Sequence, residues 1–200
     1  MIILALDTTS NTASVAIRRD GETISVVSLE SDAGFAHLIF GAIEKCRNEA
    51  RIMLNEVDCF ASASGPGSFT GVRIGLTAAK GLAESLERPV IGISNLRALS
   101  SFGENSLRAV TIDARRSEVY AAVYDADLKV VIPETVGPLD QFLAKLDPSA
   151  SYEFISAAGK VLAPAVALCA ELDRDNWLDP AALDANYVRR SDAELSWKNR

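Results

Sequence analysis

The sequence predicts an α/β protein built from two similar halves, and three observations carry that expectation. "LALDTTSNTASVAIRRDGETI", starting at Leu4, returns in outline as "VTIDARRSEVYAAVYDADLKV", starting at Val110, with Asp7 laid over Asp113. "VDCFASASG" (residues 57–65) returns as "SYEFISAAG" (residues 151–159), matching at Phe60/Phe154, Ser62/Ser156, Ala63/Ala157 and Gly65/Gly159. Between the strand-like segments, apolar residues recur at helical spacing, and alternating strands and helices point to α/β layers.

Taken in order, each half opens on three strands joined by short turns, which requires antiparallel pairing. In the first half an apolar strand ends in Asp7. A polar turn and a second strand follow, and then a charged turn at residues 18–21 and a third strand. Phe35, Ile39, Ala42, Cys46, Ala50 and Met53 mark a helix. A strand around Phe60, a glycine-rich turn, a helix from Phe69 to Leu86 and the strand "PVIGI" complete this half. The second half repeats the three strands, with a turn at residues 125–127, a weaker helix in "LDQFLAKL" and a strand around Phe154. It closes on "KVLAPAVALCAEL", read as the counterpart of the helix after Gly65, where Pro164 is tolerated only in the first turn. Two such units, each with an acidic residue closing its first strand, outline a duplicated actin-like ATPase (ribonuclease H-like) fold. At 200 residues the chain is short for it, so the second lobe is trimmed. The lobes are expected at residues 1–100 and 101–200, joined in the polar, glycine-containing stretch 94–106.

Composition narrows the function. The formal charge is −7, with 20 basic against 27 acidic residues, so the chain lacks the basic footprint of a free-standing nucleic-acid binder. Any RNA is expected to be held chiefly by partners. No apolar run reaches the roughly 18 residues of a membrane helix. The start, "MIILALDTTS", lacks the basic region of a secretion signal. Cys46, Cys59 and Cys169 are isolated in apolar surroundings, as expected for reduced thiols in a cytoplasmic protein.

The stretch "GPGSFTGVRIG", with Gly65, Pro66, Gly67 and Ser68 at its head, resembles a phosphate loop only superficially. Val72 and Arg73 follow Gly71 where a Walker A loop needs lysine and a hydroxyl residue, and Thr70 replaces the third glycine of a dinucleotide fingerprint. The alternatives are weak anion binding at a helix start and a tight turn with Ser68 or Thr70 as N-cap, the latter preferred. In the helix beyond, apolar and small residues spread over an arc about twice the ~100° that a core stripe needs. Gly71, Gly75, Ala79 and Ala83 form a small-residue ridge, flanked by Ile74 and Ala78. Each interior glycine costs a helix about 1 kcal/mol relative to alanine, which suggests close approach of another backbone. A second chain is the preferred neighbour, and a helix sandwiched within its own chain is the alternative. In the preceding helix, Phe40 falls in the polar sector with His37 and Gly41, which extends the same surface. On this reading leucine at Gly75 leaves the fold intact and breaks pairing.

With "ILALDTT" upstream and "IDARRSEVYAAVY" downstream, "GPGSFTGVRIG" makes the chain resemble the TsaB (YeaZ) family of glycoprotease-like proteins. The resemblance runs over residues 2–124 and returns at "NYVRRSDAE" with Tyr187 and Arg189, whereas residues 128–184 carry no matching motif. It implies a non-catalytic subunit that pairs with a TsaD-like catalytic subunit, together with a TsaE-like ATPase. That assembly transfers threonylcarbamoyl to adenosine 37 of tRNA. The resemblance further implies an interface on the two first-half helices, here those holding His37, Phe40, Gly71 and Gly75. The segment "HLIFGAIEKC" is more apolar than the family's usual pattern there.

Little chemistry of its own is expected. His37 is the sole histidine, so the helical histidine pair that holds metal in catalytic relatives has no counterpart. Asp7, Thr8 and Thr9 keep the acid and hydroxyls of a nucleotide site without its glycine or a nearby lysine, which leaves a vestige. Asp113 and Glu118 flank Arg115 and Arg116 on a turn, where salt bridging outweighs a catalytic role. No cofactor or metal is expected. The rival readings are a homodimeric module using the same helices, a glycoprotease-like hydrolase, and a small-molecule kinase of the actin-like class. Absence of the histidine pair opposes the hydrolase, and shortness opposes the kinase.

Overall fold

The computed structural model describes residues 1–186 and 188. Its first lobe is a five-stranded sheet in the order β3-β2-β1-β4-β5, built from β1 (Ile2–Asp7), β2 (Thr12–Arg19), β3 (Glu22–Glu30), β4 (Cys59–Ala63) and β5 (Val90–Ile93). The second is a four-stranded sheet, β8-β7-β6-β9, from β6 (Leu107–Arg115), β7 (Glu118–Asp125), β8 (Val130–Pro138) and β9 (Glu153–Ser156). In both, the three leading strands pair antiparallel and the next strand joins the first in parallel. This is the duplicated actin-like fold, with four strands in the second sheet among the described residues.

The sequence explains the strands' positions. β1 and β4 are buried on both faces and read as nearly unbroken apolar runs, as strands covered on both sides do. β3 lies at the sheet edge and mixes exposed with buried positions. On one face of the first sheet lie α1 (Ile39–Glu49) and α2 (Phe69–Ser85), enclosing a core with Leu4, Leu6, Val15 and Phe60. Among the described residues, the outer face of the second sheet carries the five-residue α4 (Leu139–Leu143), whose Phe142 packs on Ala109, Ala121 and Val123.

A further core lies between the sheets, around α3 (Asn95–Ser100) and α5 (Ala163–Leu172). Here the helices change lobes. α3 follows the first sheet but packs on β6 and β7, while α5 follows the second sheet but packs on β1 and β2. The Ala163 amide donates to Ser14 Oγ (3.1 Å), and Glu171 at the other end of α5 pairs with Arg18. In return Arg97 of α3 forms a two-pronged ion pair with Asp173. Pro164 lies in the first turn of α5, as expected. The expected equivalence of α5 with α2 is nevertheless corrected. α5 covers the opposite lobe, as α3 does, so among the described residues the second lobe has no counterpart of α2.

Register corrects a second expectation. Leu4 pairs with Phe60 in the first sheet, and Ala109 pairs with Phe154 in the second. The matched phenylalanines therefore align Leu4 with Ala109 and Asp7 with Ile112, one residue away from Asp113. A one-residue slip along a strand reverses the face of every side chain. Asp7 is accordingly buried between the lobes, and Asp113 stands exposed on the other side of its sheet.

Candidate functional site

Where the lobes meet, β1 ends on a buried acid. Asp7 Oδ1 accepts from the Thr9 amide (2.9 Å) and hydroxyl (2.6 Å). Burial nevertheless pushes its carboxyl above the ordinary range, the two Thr9 bonds acting in the opposite direction. Asn95, at the start of α3, donates Nδ2 to Thr9 Oγ1 (2.6 Å) and to Pro66 O (3.1 Å), and its Oδ1 accepts from the Gly65 amide (3.1 Å). Strand end, helix start and the turn at Gly65 and Pro66 are thereby one network. The adjoining cavity of about 50 Å³ is lined by Asp7, Pro66, Leu99, Ile112, Lys160 and Leu162, among others. A space of this size has room for ordered water beside the Asp7 carboxyl.

The second lobe supplies Ile112, not an acid, opposite Asp7. It also supplies an exposed lysine, Lys160, to a cleft where sequence reasoning placed none. Lys160 directly follows Gly159, the repeat partner of Gly65, and that position was the available signal. Among the described residues no group of three or more His, Cys, Asp or Glu side chains is arranged to hold a metal ion. The thiols of Cys46, Cys59 and Cys169 are all buried, and burial raises the last to about 11, away from nucleophilic use.

The glycine-opened helix sits tightly on this network. Ser68 is its N-cap, with Oγ accepting from the Gly71 amide (3.2 Å), and the Ser68 amide donates to Thr9 O (2.8 Å). A Cβ on Gly71 would lie 1.9 Å from Thr8 O, and one on Gly75 would lie 2.8 Å from both Ser62 Oγ and Thr8 Oγ1. The ridge Gly71, Gly75, Ala79 and Ala83 therefore faces β1 and β4 of its own chain, and Ala78 is buried as well. The assignment of Gly71, Gly75, Ala78 and Ala79 to a partner surface is corrected, and with it the expectation that leucine at Gly75 is harmless to the fold. The over-wide apolar arc has an internal cause. The sheet lies beneath α2, and residues 180–185 run along its flank, with Leu183 and Ala185 in the core and Ala181 O accepting from Lys80 Nζ (3.3 Å).

Other predicted positions do reach the surface. His37 precedes α1 and is exposed, Phe40 is 58% exposed, and Gly41 has nothing within 4 Å of where its Cβ would be. On α2, Ile74 is half-buried, Phe69 is exposed with the Arg73 guanidinium 3.8 Å from its ring centre, and Gly81 again has open space. Phe69, Arg73 and Gly81 were not singled out from sequence. They share one exposed side of α2, a pattern hidden by attention to the buried ridge. A groove of about 190 Å³ between the starts of the two helices is lined by Asn11, Phe35, Ser68, Thr70 and Ile74, among others.

The motif around Asp113 forms a hairpin tip. The Asp113 carboxylate accepts from the Arg115 amide (2.7 Å), while Arg115, Arg116 and Ser117 all have positive φ (62°, 54° and 60°). Glu118 is half-buried on β7. Gly65 and Pro66 are buried, whereas Gly67 and Ser68 are exposed. Tyr187 and Arg189 lie outside the described residues.

Residues 27–170 match the family model described as TsaD: tRNA N6-adenosine threonylcarbamoyltransferase. A TsaB protein of Bacillus subtilis is 33% identical over 67% of this chain and 61% of its own length, and that of Haemophilus influenzae is 40% identical over 60% and 52%. The solved structure of YeaZ from Pseudomonas aeruginosa superposes with a TM-score of 0.80 at 26% identity, covering 93% of this chain and 99% of that one. The chain belongs to the TsaB (YeaZ) family. A Mycobacterium tuberculosis relative without an assigned role, 30% identical over 96% of this chain and 93% of its own, extends that likeness along almost the full length. The matches to the named TsaB proteins cover less than two thirds of those relatives.

Proposed function

We propose that this chain is a non-catalytic subunit in tRNA threonylcarbamoyladenosine biosynthesis that docks a TsaD-like catalytic subunit through the outer faces of α1 and α2. A TsaE-like ATPase and tRNA join through that partner, in the cytoplasm. The names of the TsaB relatives support the pathway. The small cleft, with Ile112 opposite Asp7, favours a supporting role over catalysis.

The observation that carries the docking surface is a pair of unexplained glycines. Gly71 and Gly75 are accounted for by the strand ends beneath them. Gly41 and Gly81 are exposed and helical, with none of the described residues near their missing side chains. Gly81, inside α2, weakens its helix by about 1 kcal/mol relative to alanine and Gly41, in the first turn of α1, by less, with no compensating contact among the described residues, as expected where a neighbouring backbone must come close. Phe40 beside Gly41 supplies an aromatic anchor of the kind that dominates interfaces.

Sedimentation of Phe40→Asp, alone and mixed with the TsaD-like protein of the same organism, tests the reading. The parent is expected to form a mixed complex and the variant, still folded by circular dichroism, to lose it. Unchanged complex formation by the variant overturns the surface. A parent that pairs only with itself through this face would support the homodimeric module instead.

A further inference from the structure

The turn at Gly65 and Pro66, which delivers the chain into α2, is gripped from two sides. On one side Asn95 bonds Gly65 through its backbone amide (to Gly65 O, 2.8 Å) and through its side chain. On the other side Asn186, which opens the "NYVRR" motif, donates its amide to Ser64 O (2.9 Å). Gly65, at φ +102°, lies so close that a Cβ would come within 3.1 Å of Asn186 O. Both grips lead to one carboxylate in the other lobe. Glu134 of β8 accepts Asn186 Nδ2 on Oε2 (2.9 Å), and its Oε1 accepts from Ser94 Oγ, the N-cap next to Asn95, and from Tyr124 OH (2.9 Å).

We propose that Asn186 is a positioning residue that ties the turn at residues 64–68 to Glu134, so that the held angle between the lobes sets the start of α2. Ser68 caps α2, and its amide is held by Thr9 O, so a shift of the turn moves the first turn of the helix with Phe69 and Arg73. Asn186 sits about 120 residues from this turn in sequence, and nothing in residues 65–75 depends on it locally. A single residue whose backbone amide bonds one lobe and whose side chain bonds the other does what a longer linker cannot, because its two bonds fix direction as well as distance. The effect on partner binding rests on the docking face proposed above. The effect on the turn does not.

The test reverses the polarity of the clasp. Asn186→Asp sets two carboxylates against each other, and adding Glu134→Gln restores a donor–acceptor pair, with the new amide donating to the new acid. Amide exchange of residues 65–71 in the isolated protein is expected to rise about tenfold in Asn186→Asp and to return close to the parental rate in the double variant. Complex formation with the TsaD-like partner should weaken and recover in parallel. Exchange that is unchanged in the single variant, or not restored in the double, overturns the clasp. Exchange that responds while binding does not move refutes its coupling to docking and leaves the turn assignment standing. Failure of the parent to pair through α1 and α2 counts against the docking face alone. Should Asn186→Asp not fold, Asn186→Ala gives the same exchange readout without the repulsion, and an unaltered turn there is equally fatal.

Discussion

The inner and outer sides of α2 carry the same residue type for opposite reasons. Inward, Gly71 and Gly75 lie against Thr8 and Ser62, so close that no side chain fits between helix and strand end. Outward, Gly81 faces open space. A glycine read from sequence says only that a side chain is absent. What occupies the vacated volume, its own chain or another, decides whether substitution damages the fold or the assembly.

The widest separation between the two sides is expected from Gly71→Ala. A methyl group 1.9 Å from the Thr8 carbonyl forces the backbone to move, and a loss of about 3 kcal/mol in chemical denaturation is expected. A loss below about 1 kcal/mol would mean that helix and strand slide apart easily, and the inner reading of the ridge would fall. Asp7, in the same layer, gives the next effect. Its carboxyl is raised by burial, so the folded state holds a proton that the unfolded state has released. The resulting stability is present below about pH 4 and declines as pH rises toward the folded value. Asp7→Asn keeps the acceptor for Thr9 and should flatten this decline, making the variant the more stable protein at neutral pH. Parallel stability–pH curves for parent and variant would contradict the burial effect.

On the outer side, Gly81→Ala should gain about 1 kcal/mol of stability while weakening pairing, a combination that neither a purely structural nor an idle glycine produces. Paired thermal melts and sedimentation check it, and stronger pairing would break the comparison. The smallest effect is expected at Asp113→Asn, within about 0.5 kcal/mol, since the residue is exposed on a hairpin and an amide oxygen can replace its bond to the Arg115 amide. A large loss there would revive its equivalence with Asp7.

Periodicity and the internal repeat were enough to read the order of the strands and of α1, α2, α4 and α5, because each element's apolar pattern is local, whereas α3 lies in the stretch 94–106 that reads as the join between the lobes. Pro164 and the Ser68 cap were legible for the same reason. The Asp7/Asp113 alignment missed by one residue because it matched chemistry, whereas a strand's orientation follows its partner's register, and the Phe60/Phe154 match already held that register. The outward assignment of the Gly71 ridge failed because projecting a helix onto a wheel shows which residues share a side and is silent on which side meets the sheet. His37, Phe40 and Gly41 did reach the surface, marked by an aromatic out of place in a polar sector. Lys160, Asn95 and Asn186 join the site only through contacts between segments far apart in sequence.

The exchange of α3 and α5 between lobes has a consequence for synthesis. When the first hundred residues have left the ribosome, the first sheet has its outer helices but not α5, which covers Ile3 and Ala5 on the inner side. At about 5–20 residues per second, that face waits several seconds for residues 163–172 to emerge. The nascent first half is thus a ready client for a chaperone, and the core between the lobes closes only once residues 163–172 have been made.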